Sequence, residues 1–259
     1  MKLETARNLE SSAAKRSPDS HLTPYVCWSR MQAEAGQGIE TIVARKELER
    51  QAGKGLFFWG VGNAPATITS ALARAGVSIQ VVFSLMKSRP KAVDVAPTRL
   101  VAWRRFVDAH GAERTLPEHA LVTSRADSDG GPKRVHYALM CYSETPLALV
   151  RGRSFDSKAF RNASGSGAPV GSSQVTALLR RIEDDGINPD YEINLSAQLA
   201  GSYWVRLTDP IELGPAKLAR LDALSCPGRS TVPDWCDAVT DIRSGPSIFA
   251  DEDILGRLI

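Results

Sequence analysis

The sequence predicts an α+β fold: a mixed, mostly antiparallel β-sheet or small β-barrel with flanking helices. Three observations carry this. Runs of aromatic and β-branched residues recur through the middle of the chain, as in Leu56-Phe57-Phe58-Trp59-Gly60-Val61. Only two segments between these runs show a helical period. The later strand-like runs follow one another with turns between them, which favours antiparallel pairing over a doubly wound sheet. A chain of 259 residues, 43% of them hydrophobic, has enough apolar content for a core without disulfides or metals.

The elements follow in order. Residues 1–23 are small, polar and charged without a period, and read as a flexible arm. The folded domain is expected over 24–213, opening with Tyr25-Val26-Cys27-Trp28 as a buried strand. A helix is predicted over 39–52, with Ile39, Ile42, Val43 and Leu48 as its apolar stripe. Its wet face is Arg45, Lys46, Glu47, Glu49 and Arg50. Gly53 and Gly55 end it. A strand over 56–61, a helix over 66–75 ended by Gly76, and a strand over 78–84 come next. Residues 98–107 alternate apolar and polar, as a half-buried antiparallel strand does. Further strands are expected over 120–124, 135–143, 174–182, 191–199 and 203–207, with a Gly/Ser-rich loop at 162–173. Residues 214–259 are read as a C-terminal helical extension packed on the domain.

Charge is unevenly spread. Lys and Arg outnumber Asp and Glu by 16 to 8 over residues 80–181, and fall short by 6 to 14 over 182–259. A basic middle can mark a nucleic-acid face, or an acidic end can fold back over it. The four cysteines, Cys27, Cys141, Cys226 and Cys236, form no C-x-x-C pair, which suits a reducing compartment. The first residues lack the apolar core of a signal peptide, and no run approaches the ~20 apolar residues of a spanning helix. A cytoplasmic protein without membrane contact is therefore expected.

Two constellations carry chemistry. Aromatic side chains stand beside polar groups at strand ends: Trp28 before Ser29 and Arg30, Trp59 before Asn63, and Gln174 and Thr176 at the start of a strand. Bases are held by stacking and read by hydrogen bonds to their edges. The expected partner is thus DNA or RNA, a modified base included, and the expected class a non-catalytic binding module. Lys87, Arg89, Arg104 and Arg105 would meet phosphates. Core packing is the competing explanation for both tryptophans. The second constellation is Gly60-Val61-Gly62-Asn63 between a strand and a helix, the kind of turn that brings a pyrophosphate to a helix N-terminus. Pro65 stands where the third glycine of that fingerprint belongs. Ser84 ends the next strand in place of an acidic residue, which suits NADP better than NAD. The alternative is thus an enzyme using NADP or S-adenosylmethionine through Gly60, Gly62, Asn63 and Ser84. Cys141 and His136, five residues apart in one expected strand, point to opposite faces and form no local nucleophile–base pair. No metal site is expected.

The order of strand, helix, aromatic strand and a mostly β remainder over residues 24–213 resembles the PUA-like group, which includes the EVE, YTH and ASCH domains. The resemblance implies a small β-barrel with an aromatic pocket for a modified base between the first strands and the helix. Tyr25–Arg30 would be its first strand, Leu56–Gly62 its aromatic strand and Tyr203–Leu207 its closing strand. The strand over 78–84 departs from that pattern.

Overall fold

The computed structural model describes residues 25–32, 38–63, 66–86, 100–117, 120–126, 132, 135–163, 167–171, 175–182 and 191–213. The expected arm over 1–23, the helical extension over 214–259, and Lys87, Arg89 and Gln174 lie outside them.

Strand β1 is Tyr25–Met31, helix α1 Ile39–Ala52, β2 Leu56–Val61, helix α2 Ala66–Arg74 and β3 Gln80–Leu85. Strands then follow one another: β4 (Leu100–Val107), β5 (Glu113–Thr115), β6 (Thr123–Arg125), β7 (Tyr137–Tyr142), β8 (Ser154–Phe155) and β9 (Phe160–Asn162). β10 is Thr176–Arg181, β11 Tyr191–Glu192 and β12 Leu195–Leu213. The main sheet runs β2-β7-β12-β3-β1-β10-β9, and β4, with β5 and β6, joins the second half of β12. β8 and β11 form a separate ribbon.

Among the described strands, β1 and β3 pair in parallel and every other pairing is antiparallel. The architecture is therefore a mixed sheet with few helices, compatible with α+β. It is not closed: β2 and β9 end the path, so the barrel alternative is not what the described residues form.

Side chains alternate between the faces of a strand, and the pairing register carries that alternation across the sheet. One face bears a continuous core of Cys27, Phe57, Trp59, Val81, Phe83, Leu139, Cys141 and Leu178, closed by Val43 of α1 with Ile68 and Leu72 of α2. The other face is split. Phe58, Trp103, Phe106, Met140 and Val205 pack at the β2–β7–β4 end. Trp28, Val82, Ala177, Leu179 and Phe155 pack at the β3–β1–β10 end.

Two expectations need correction. The strands expected over 191–199 and 203–207 are largely one strand, β12, whose register shifts between Leu199 and Trp204. Gly201 and Tyr203 both have positive φ there, 54° and 60°. The Tyr203 hydroxyl donates to the Val77 carbonyl, which ties the irregular turn to the end of α2. The second correction concerns α1. Arg45, Lys46 and Glu49, assigned to its wet face, are buried (4%, 3% and 0% exposed). Glu49 accepts from Lys46 Nζ at 2.6 Å, from the Phe58 backbone N–H at 2.7 Å and from that of Leu121 at 3.4 Å. Lys46 also donates to the Leu121 carbonyl at 2.7 Å. A buried charge persists only when paired and hydrogen-bonded, and this pair uses its bonds to hold α1 to β2, an end strand of the sheet.

Candidate functional site

The most developed polar–aromatic arrangement lies near the end of β1. Arg30 follows Trp28 by two residues and so shares its face. Its guanidinium carbon stands 5.0 Å from the Trp28 ring and 5.0 Å from the Tyr191 ring. Those two rings are 4.8 Å apart and tilted by 52°. Arg30 also donates from Nη2 to the Tyr191 hydroxyl. Trp28 is fully buried and donates its indole N–H to Ser84 Oγ at 3.0 Å. Phe155 packs against both rings, and Phe160 against Phe155. The result is a half-buried cation laid on an aromatic bed. Trp28 supports the cation from below and has no surface for a ligand.

The neighbouring strands complete this end. Val175 lies across from Arg30, whose N–H donates to the Val175 carbonyl at 2.7 Å, and it exposes its side chain by 45%. Leu85, 38% exposed, pairs with Met31 on the other side. Asn194 accepts from the Leu85 N–H and donates to the Val150 carbonyl, and Val150 is 40% exposed. Of these exposed apolar side chains only Val175 shares the face of Arg30; Leu85, opposite Met31, points to the other face of the sheet.

Several expected site residues are elsewhere. Ser29 and Thr176 face the opposite side from Arg30 and bond each other at 3.0 Å, with Ser29 buried. Trp59 also faces that side and packs 4.7 Å from Phe83. Trp28 and Trp59, both candidates for stacking on a base, cannot line one pocket: strand alternation puts them on opposite faces of the sheet. Asn63 is exposed beyond the end of β2, four strands from β1. The register makes β2 antiparallel to β1 and β3, so Asn63 and Arg30 lie at opposite ends of the sheet.

The same directions separate the residues of the dinucleotide alternative. Gly60 lies in β2 and Gly62 and Asn63 just follow it, while Ser84 lies near the end of β3, three strands away and at the opposite end of the sheet, with its hydroxyl taken by Trp28. Strands β2 and β3 are not the parallel neighbours of a dinucleotide fold. Gly60 has a packing reason: a Cβ there would come within 2.9 Å of Val122 Cγ1 and 3.0 Å of Val135 Cγ1.

Arg104 and Arg105 of β4, expected to meet phosphate, are instead matched to carboxylates. Arg104 pairs with Asp209 at 2.6 Å and Arg105 with Glu113 at 3.0 Å; Arg114 beside them pairs with Asp108 at 2.9 Å. The basic side chains missed in the sequence reading are Arg180 and Arg181 on β10. Their only signal was the local excess of Arg in the basic middle.

Of the buried titratable groups, Cys27 lies on β1 but on the face opposite Arg30, and Lys46 and Cys141 lie on α1 and β7. Desolvation lowers Lys46 to about 8, against the opposing pull of Glu49. Burial pushes the Cys27 and Cys141 thiols up, which leaves both protonated and unreactive. Among the described residues no cluster of His, Cys, Asp or Glu is placed to hold a metal ion, and no helix is long and apolar enough to cross a membrane.

No protein-family model matches the chain, and no curated protein or solved structure matches it. The mixed, mostly antiparallel sheet and the Arg30 cluster are thus the ground on which function is argued.

Proposed function

We propose that the protein is a nucleic-acid-binding module that meets a base at the Arg30 end of the sheet. One observation carries this: the Arg30 guanidinium, half-buried, is held 5.0 Å from both the Trp28 and Tyr191 rings. A guanidinium plane fixed in this way offers a flat cationic surface. Unstacked bases pack on such planes and on aromatic rings. Val175, exposed directly across from Arg30, supplies an apolar edge beside it, suited to the body of a planar base, a methylated or otherwise modified one included. The reading keeps from the PUA-like resemblance only its aromatic site on the first strand, and it leaves Trp59 and Asn63 out of the site. The module works without a cofactor in this reading, and the Gly60–Gly62 turn serves packing.

The test is a titration of the full chain with short DNA and RNA carrying normal and modified bases, at several salt concentrations. Arg30→Ala is expected to weaken binding by about 1–3 kcal/mol, the scale of one stacked base. Arg30→Lys keeps the charge but loses the plane, and is expected to recover little of that loss. Wild-type protein that ignored every oligonucleotide at low salt would end the reading. Full recovery by Arg30→Lys would reduce Arg30 to a simple charge.

A further inference from the structure

Strands β9 and β10 form one edge of the sheet, and their register sets Arg161 directly opposite Arg180. Directly opposed side chains on an antiparallel pair hold their Cβ atoms about 4.5–5.5 Å apart, and like charges so placed are destabilising. The arginines around β4 are each relieved by a carboxylate. Among the described residues no carboxylate forms an ion pair with Arg161 or Arg180. Arg161 is held in place nonetheless: its Nη1 donates to the carbonyls of Lys158 and Phe160, both at 2.9 Å. Arg180 is exposed on the same face as Arg161. Arg181, next along β10, is exposed on the face that carries Phe160 and Arg30.

We propose that Arg161 and Arg180 together seat one phosphate of a nucleic-acid backbone. Two guanidinium groups from adjacent strands present planar donor forks to one tetrahedral anion, which turns their mutual repulsion into shared attraction. The seat lies toward the opposite end of β10 from Val175 and Arg30, five residues or roughly 17 Å away at about 3.3 Å per residue. Arg181 marks the route between the two faces. A short single strand with a base at Arg30 would thus carry its backbone to the β9–β10 edge. The assignment of the phosphate to nucleic acid rests on the reading above; the seat itself rests on the arginine pair.

The experiment compares the full chain with Arg161→Ala/Arg180→Ala, each titrated with inorganic phosphate, a mononucleotide and a short oligouridylate. Inorganic phosphate is expected to raise the melting temperature of the wild type more than chloride does at equal ionic strength. The double variant should lose that difference. Its slope of log binding constant against log salt should be shallower than wild type by about 0.7, the value for one phosphate on a single strand. Without any anion and at low salt, Arg180→Gln should melt above wild type, because the repulsion is gone. A folded double variant with an unchanged salt slope would overturn the seat and leave the Arg30 reading standing. Protection by inorganic phosphate with no oligonucleotide binding would overturn the nucleic-acid assignment and the reading it rests on. No effect of any anion, with Arg180→Gln melting no higher than wild type, would overturn the seat by itself.

Discussion

The two flanks of the sheet treat the same residue type in opposite ways. Around β4, Arg104, Arg105 and Arg114 each meet a carboxylate supplied by a neighbouring strand or turn. Along β9 and β10, Arg161, Arg180 and Arg181 meet none among the described residues, and two of them face each other. Both groups belong to one basic block of sequence. Regional charge excess therefore says that uncompensated cations exist somewhere in the block; pairing in space says which ones they are. The buried Lys46–Glu49 pair on α1 is the extreme of the compensated kind, since it is paired, bonded to backbone and out of water.

The largest expected effect tests that extreme. Glu49→Ala strands the Lys46 ammonium and removes the acceptor of the Phe58 N–H, and should cost about 3–5 kcal/mol of stability in urea unfolding. A loss no larger than that of a surface ion pair would show that the compensated flank is not held by its charges.

Gly60→Ala comes next. Its Cβ would press on Val122 and Val135, and overpacking of that kind costs about 1–3 kcal/mol. Oligonucleotide affinity should not change. If Gly60→Ala were neutral for stability and instead removed a melting shift induced by NADPH, the glycine turn and not the Arg30 end would be the site.

The pH dependence follows from the buried thiols and Lys46. Folded Cys27 and Cys141 have raised pKa values, so their contribution is fully present below about pH 8.5, the unfolded thiol value, and is lost as pH rises above it. Lys46 acts with the opposite sign. Its folded value of about 8 lies below the ordinary 10.5, so the unfolded chain binds the extra proton and stability rises with pH between the two. Cys141→Ala should make the slope of stability above pH 8.5 less negative by up to about 1.4 kcal/mol per pH unit. The same slope in both proteins would mean that the thiol is solvated in the folded state.

The smallest effect sharpens the contrast of the flanks most directly. Arg105→Ala breaks a half-exposed ion pair and should cost less than about 1 kcal/mol. It should leave the salt dependence of oligonucleotide binding unaltered. A slope change equal to that of Arg161→Ala/Arg180→Ala would erase the distinction between paired and unpaired arginines.

Much of the element order was legible from local pattern. The Leu56–Val61 run, the helix over Ile39–Ala52 and the alternation that ends at Val107 depend on neighbours in sequence, and so they read directly. The short strands β5, β8 and β9 did not, because two or three residues carry no period. At the site, the adjacency of Trp28 and Arg30 was visible. Tyr191, which completes the stack, was not, because it comes from 161 residues away.

The sequence by itself determined a β-rich chain with few helices, a basic middle, and aromatic strands that had to be buried. Those follow from hydrophobicity, period and composition, all of them local quantities. Tertiary structure alone decided which charges were cancelled and which face each tryptophan took. Face and partner depend on strand order and register, and a shift of one residue reverses every side chain. The same register that buried Trp59 beside Phe83 laid Arg30 over Trp28 and Tyr191 and set Arg161 against Arg180.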